Sequence, residues 1–147
     1  MRSIALGLIA IALISGQAHA ADQDVIAIQT IIGEARGESE MGQIAVGEVI
    51  RNRANDKHWY NDETIEEVCL KPWQFSFWND RDTALRTLAR IPGDVWQQCS
   101  KSWALSEDSK YTSGANLYCR WDYWPDWRCN GKAKFIKRIG SHVFYKE

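Results

Sequence analysis

Three acidic residues fall within the run Ile31-Ile32-Gly33-Glu34-Ala35-Arg36-Gly37-Glu38-Ser39-Glu40. Glu34 closes an apolar helical pattern, Gly37 breaks the chain, and a second apolar pattern restarts at Ile44. A carboxyl group at the end of a buried helix, beside a glycine turn, has apolar neighbours below and open space above. Such surroundings favour the protonated form towards neutral pH, as a general acid requires. By number alone, helix-end acids such as Glu34, Glu38 and Glu40 are more often solvated charges than catalysts. A second chemistry-bearing run follows Pro72, where Gln74 and Ser76 alternate with Trp73, Phe75, Phe77 and Trp78. Polar side chains set between aromatic ones suit an ordered loop facing a groove. The chain holds eight tryptophans, and the stretch from Tyr118 to Trp127 is the densest in aromatics. Flat rings stack on the apolar faces of sugars, although about half of these tryptophans are expected simply to fill the core.

The elements that must position these groups are mostly helical. Asp22 or Asp24 is expected to cap a first helix whose inner face is Val25, Ile28, Ile32 and Ala35. Ser39 caps a second helix, buried and central, that carries Ile44, Ala45, Val46, Val49 and Ile50 and runs to about Asn52. Asn61 or Asp62 caps a third, over 63–70. Asp80 starts a fourth through Leu88, and a fifth runs from Asp94 to Leu105 after the Pro92-Gly93 break. Phe135–Gly140 and His142–Tyr145 read as short strands. The expected fold is therefore mostly α (α+β), with a small irregular or β-like C-terminal part.

Residues 1–20 read as a signal peptide. Arg2 is the charged start, Ile4–Ile14 the apolar segment, and Ala18-His19-Ala20 the cleavage site. The apolar run is short for a bilayer span. Cleavage would leave residues 21–147 as one domain of 127 residues. Because residues 1–20 hold Arg2 and no acid, the net charge would go from −1 to −2. That charge is no footprint for nucleic acid. Four cysteines in an exported chain argue for two disulfides, with three pairings possible. Cys119–Cys129, closing a short loop, together with Cys69–Cys99, joining two helices, is the preferred pairing. Zinc is the competing use of these residues. It is poorly supported, because there is no CxxC pair and only His58 and His142 are left to help. No metal or cofactor is expected.

Several blocks, in order, resemble one family. They are Gly33-Glu34-Ala35-Arg36-Gly37-Glu38, Gly42-Gln43-x-Ala45-Val46, Val49-Ile50-x-Asn52-Arg53, Thr64-Ile65, Pro72-x-Gln74-Phe75-Ser76-x-Trp78, Gly114-Ala115-Asn116-x-Tyr118 and Ile139-Gly140-x-His142-x-Phe144. This pattern is similar to that of the spore-cortex-lytic (SleB-like) bacterial cell-wall hydrolases, which resemble lytic transglycosylases. The resemblance implies a lysozyme-like helical catalytic domain. It implies an exported peptidoglycan-degrading enzyme, in the periplasm or outside the cell, that cuts the bond between N-acetylmuramic acid and N-acetylglucosamine. It would be expected to act as a monomer on glycan strands and to leave 1,6-anhydro-muramic acid ends. By motif position Glu34 is the catalytic residue.

Gln74 and Ser76 would bind N-acetyl or hydroxyl groups, and Phe75 and Trp78 would wall the cleft. Tyr118 would orient Glu34, Asn116 would support that loop, and Glu38 would share the site, cap the next helix or pair with Arg36. His142 reads as structural, and Asn52 and Arg53 as buttresses of the central helix. The chain departs from the family after Tyr118, where Cys119 opens a tryptophan-rich loop to Cys129. The alternatives are a lysozyme-like muramidase, a non-catalytic peptidoglycan-binding module on the same fold, or a secreted inhibitor or structural domain.

Overall fold

The computed structural model describes residues 22–56 and 64–147. The leader segment, the caps read at Asn61 and Asp62, and His58 lie outside the described residues. Helix α1 covers residues 22–35. It is followed by α2 (Glu40–Ala54), α3 (Ile65–Leu70), α4 (Arg81–Leu88) and α5 (Gly93–Leu105), with a 3₁₀ turn at Ser76–Asn79 between α3 and α4. The C-terminal part holds β1 (Leu117–Arg120), a short helix α6 (Asp126–Cys129), β2 (Lys134–Ile139) and β3 (His142–Lys146). The three strands form one antiparallel sheet in the order β1-β3-β2. The mostly helical fold with a small β part is therefore the one expected.

Local chemistry sets most boundaries. The Ser39 side chain accepts the Gly42 amide and starts α2, and the Asp80 side chain accepts the Thr83 amide and starts α4. α3 begins with a full capping box, in which Thr64 and Glu67 satisfy each other's backbone amides. α2 is the central helix: ten of its 15 residues are buried, and it packs on α5, α3 and the sheet. Its buried polar groups are paired, as burial demands. Gln43 accepts from Ser102 at 2.9 Å. The Glu48 carboxylate, 4% exposed, accepts from Ser109 Oγ (2.5 Å), the Tyr111 amide (2.8 Å), the Thr112 amide (2.8 Å) and Thr112 Oγ1 (2.5 Å). A single side chain on α2 thereby holds the loop that leads into the sheet.

The structure corrects four expectations. In α1 the buried residues are Ala27, Thr30, Ile31, Ile32 and Ala35, while Val25 is exposed. Apolar residues occur on several sides of this helix, so periodicity left its orientation open. Asp24 does not cap α1: it accepts the Trp103 indole N–H from α5 at 2.7 Å, which helps fix which face turns inward. The stretch from Cys119 to Cys129, read as a loop, begins in β1, paired with β3, and ends in α6.

The fourth correction concerns the cysteines. Cys69, Cys99 and Cys119 are free thiols, so the expected Cys69–Cys99 and Cys119–Cys129 bridges are not formed. The Cys69 thiol reaches Thr30 on α1, whereas Cys99 lies near the charge of Arg36. Cys69 and Cys99 lie in the same buried cluster, but their sulfur atoms are not paired: the Cys69 thiol is hydrogen-bonded to Thr30 instead. Burial pushes the Cys69 thiol up to about 12 and the Cys99 thiol up to about 11, which keeps both protonated and inert. Cys119 donates to the Tyr123 carbonyl at 3.5 Å, and the Cys129 side chain lies outside what is described.

Among the described residues no helix is long and apolar enough to cross a membrane. The Glu48 anchor can be tested directly. Glu48→Ala strands two backbone amides, so it is expected to cost about 2–4 kcal/mol of stability in urea unfolding. Glu48→Gln, which keeps one acceptor oxygen, is expected to cost less.

Candidate active site

Glu34 sits in the last turn of α1, where three other groups converge on it. Its Oε1 accepts the Phe77 amide at 2.8 Å and the Ser76 hydroxyl at 3.2 Å. Its Oε2 accepts the Tyr118 hydroxyl at 2.9 Å. The first two donors come from the 3₁₀ turn and the third from β1, so helix, turn and sheet meet on one carboxylate. The turn is seated by two contacts. A Cβ on Gly33 would lie 2.0 Å from Phe77 Cγ, so only glycine lets the Phe77 ring lie against α1. Trp78 donates its indole N–H to Thr30 Oγ1 at 2.9 Å and meets the Phe77 ring edge-on at 5.0 Å.

Tyr118 is fixed by rings on three sides, namely Phe75 at 6.3 Å, His142 at 5.0 Å and Phe144 at 5.8 Å. Burial, then the adjacent Glu34 charge, holds its hydroxyl well above the ordinary tyrosine value, so it remains an O–H donor. Burial lowers the His142 imidazole below the ordinary histidine value, against the pull of Glu38 and Glu34. Its Nδ1 is buried and has no hydrogen-bond partner among the described residues. Arg53 on α2 joins the two walls. Its Nε donates to the Asn116 carbonyl at 2.7 Å, its Nη1 to the Gln74 carbonyl at 3.4 Å, and its guanidinium lies 4.9 Å from the Phe75 ring centre.

Above Glu34 opens a cavity of about 630 Å³, bordered by Arg53, Trp73, Gln74, Ser76, Tyr118, Tyr123, Trp127 and His142 among others. A second hollow of about 810 Å³ lies by Glu48, Arg51, Asn52 and Ser106. There the polar groups are spent on one another. Arg51 donates to Ser106 Oγ at 2.9 Å and Asn52 to the Ala115 carbonyl at 2.8 Å, and among the described residues none of those read from the sequence as catalytic or substrate-binding borders that space. The cavity over Glu34 is the candidate site.

A model of the cell wall hydrolase family matches residues 37–145. The chain belongs to this family. The matched stretch begins just after Glu34. The spore cortex-lytic enzyme of Halalkalibacterium halodurans is 29% identical over 127 residues, which cover 84% of this chain. The chain spans about a third (34%) of that curated relative's length. The crystal structure of the catalytic domain of Bacillus cereus SleB superposes with a TM-score of 0.66 and 26% identity, over 85% of this chain and 91% of that one. The catalytic domain of the germination-specific lytic transglycosylase SleB from Bacillus anthracis also gives 0.66, at 27% identity over 84% and 94%.

In this cell wall hydrolase the residues singled out from the sequence divide into two groups. Glu34, Gln74, Ser76 and Tyr118 meet at the cavity. Phe75 is buried in the core beneath it, and Trp78 is half-buried against Thr30. Asn116 is buried and structural: its Oδ1 accepts the Glu147 amide at 3.1 Å and its Nδ2 donates to Asp56 at 3.3 Å. Glu38 is turned to the β2–β3 hairpin, where it accepts the Ser141 amide at 3.1 Å and the Ser141 hydroxyl. Gly140, at φ 58, leaves room for it, since a Cβ there would meet Glu38 Oε2. Trp73 borders the cavity as part of the run read as facing a groove, whereas Tyr123, Trp127 and His142 border it without having been assigned to the site from the sequence. The positive φ of Trp73 is a feature of the folded backbone, and the sequence carried no sign of it.

Burial alone would raise the Glu38 carboxyl, but the two Ser141 hydrogen bonds and nearby His142 bring it below the ordinary glutamate value. Unfolded Glu38 therefore takes up its proton at higher pH than folded Glu38. The stability it contributes is full above the ordinary glutamate range and is lost as pH falls through the lowered value. Tm is expected to drop in acid, and Glu38→Gln should flatten that drop in a thermal melt series from neutral pH to about pH 3. A second test addresses the seating of the turn. Gly33→Ala should displace Phe77 and break its amide bond to Glu34. Hydrogen exchange should then show the Phe77 amide losing about tenfold or more in protection, with the α5 amides unchanged.

Proposed function

We propose that this protein is an exported enzyme of the cell envelope that cuts peptidoglycan between N-acetylmuramic acid and N-acetylglucosamine as a lytic transglycosylase. The observation that carries this reading is a single carboxylate. Glu34 is the one acidic side chain among the described residues bordering the cavity. A hydrolase of the two-carboxylate kind needs a second acidic group about 5–9.5 Å away, as nucleophile or water-activating base. A transglycosylase needs one, because the attacking hydroxyl belongs to the substrate and its effective concentration is already high.

Protonated Glu34 gives its proton to the glycosidic oxygen as the bond to C1 of the muramic acid breaks, with the acetamido group assisting departure. The C6 hydroxyl of the same sugar attacks C1, and the Glu34 carboxylate takes its proton. The ring closes as the 1,6-anhydro form, and Glu34 returns to its starting state. Tyr118, Ser76 and the Phe77 amide hold the carboxylate in place, and Gln74 is positioned to hydrogen-bond an acetamido or hydroxyl group. Support also comes from family membership and from the likeness to the two SleB catalytic domains.

Glu34→Gln keeps the shape and removes the proton. Activity on peptidoglycan is expected to fall at least ~10²-fold, while Glu38→Gln costs much less. Mass analysis of the digest decides the chemistry. Anhydro ends, lighter by one water and without a reducing terminus, support the transglycosylase. Only reducing muramic acid ends would leave a lysozyme-like muramidase. Glycan binding without any cleavage would leave a peptidoglycan-binding module.

A further inference from the structure

We propose that Trp73 and Tyr123 form an aromatic clamp that grips sugar rings of a glycan strand beyond the bond being cut. The proposal rests on the peptidoglycan reading above. Trp73 is 83% exposed, and its backbone sits at φ 66. A bulky residue in that region is strained by about 1–3 kcal/mol, and an indole in water adds to the cost. The strain falls on a residue that borders the cavity holding Glu34.

The segment carrying Tyr123, which borders the same cavity, is built to hold a ring out into solvent. Arg128 donates from Nη1 to the carbonyls of Trp121 (3.0 Å) and Tyr123 (2.5 Å), and from Nε to the Tyr145 hydroxyl (2.7 Å). Its guanidinium also lies 3.7 Å from the Trp124 ring centre. The backbone of Tyr123 is thus pinned while its ring is 62% exposed beside the same cavity. Ordering the loop beforehand leaves less to be ordered on binding.

Two exposed flat rings bordering one cavity fit a partner with broad apolar faces and polar edges. A pyranose has both, and the Tyr123 hydroxyl can serve the edge. Nucleobases also stack on such rings, but a chain of net charge −1 does not supply the cationic track that a phosphate backbone requires.

Calorimetry with glycan strands freed of their peptides tests the clamp in a Glu34→Gln parent, which binds without cutting. Adding Trp73→Ala or Tyr123→Ala is expected to weaken binding about tenfold. Trp73→Gly should weaken it equally while leaving Tm unchanged or raised, since glycine relieves the positive φ. Trp121, an exposed ring stacked on Arg138 and not bordering the cavity, is the control, and Trp121→Ala should bind as the parent does. If the parent binds strands and the Trp73 and Tyr123 variants bind equally well, the clamp is overturned and the catalytic reading stands. Equal weakening by Trp121→Ala would also overturn it, as general aromatic adhesion. If the parent binds no strands and the wild type releases no fragments from peptidoglycan, the catalytic reading falls and the clamp falls with it.

Discussion

The grip on the Glu34 carboxylate is the interaction on which the rest depends. One oxygen takes donors from the 3₁₀ turn and the other takes the Tyr118 hydroxyl from β1. A hydrogen bond within the fold contributes about 0.5–1.5 kcal/mol net, and these three fix orientation as well as energy. They act only if turn and strand arrive together. Gly33 admits the Phe77 ring on one side, and the Phe75, His142 and Phe144 rings hold Tyr118 on the other.

Helix α2 makes that arrival possible. Arg53 reaches one carbonyl on the segment after α3 and another just before β1, so the spacing of the cavity's two walls is set by one guanidinium. Glu48, about one and a half turns of helix earlier, fixes the loop that feeds β1. Buried charges of this kind are costly unless fully paired, and full pairing admits few alternative arrangements of the surrounding backbone. The rigidity of the site is in this sense a property of the central helix more than of the residues that border the cavity.

Costs that do not help folding gather near the cavity. Trp73 combines a positive φ with an exposed indole, and His142 Nδ1 is buried without a partner among the described residues. Elsewhere the helix starts of α2, α3 and α4 are capped and the buried polar groups of α2 are satisfied. Local rules broken beside a cavity are an expected mark of a binding or catalytic site.

The sequence alone determined what depends on short-range chemistry and on motif order. Ser39 and Asp80 start helices because their side chains satisfy nearby amides, and Gly37 and Pro92 separate helices because of their backbones. The ordered blocks around Glu34, Gln74-Phe75-Ser76 and Tyr118 were enough to point to the family. Only the tertiary structure decided the matters that depend on what lies opposite. α1 carries apolar residues on several sides, so its buried face was chosen by Trp103 and the neighbouring helices. Glu34 and Glu38 look alike in the chain, yet one faces a cavity and the other a hairpin turn more than a hundred residues away. Even cysteine count suggested bridges, but Cys69, Cys99 and Cys119 are buried as free thiols, with Cys69 hydrogen-bonded to Thr30 and Cys119 to the Tyr123 carbonyl. Phe75 and Trp73 are two residues apart, and one is core while the other stands in solvent, because the backbone turns left-handed at Trp73. A linear pattern does not encode such reversals of direction; they arise when distant segments compete for the same space.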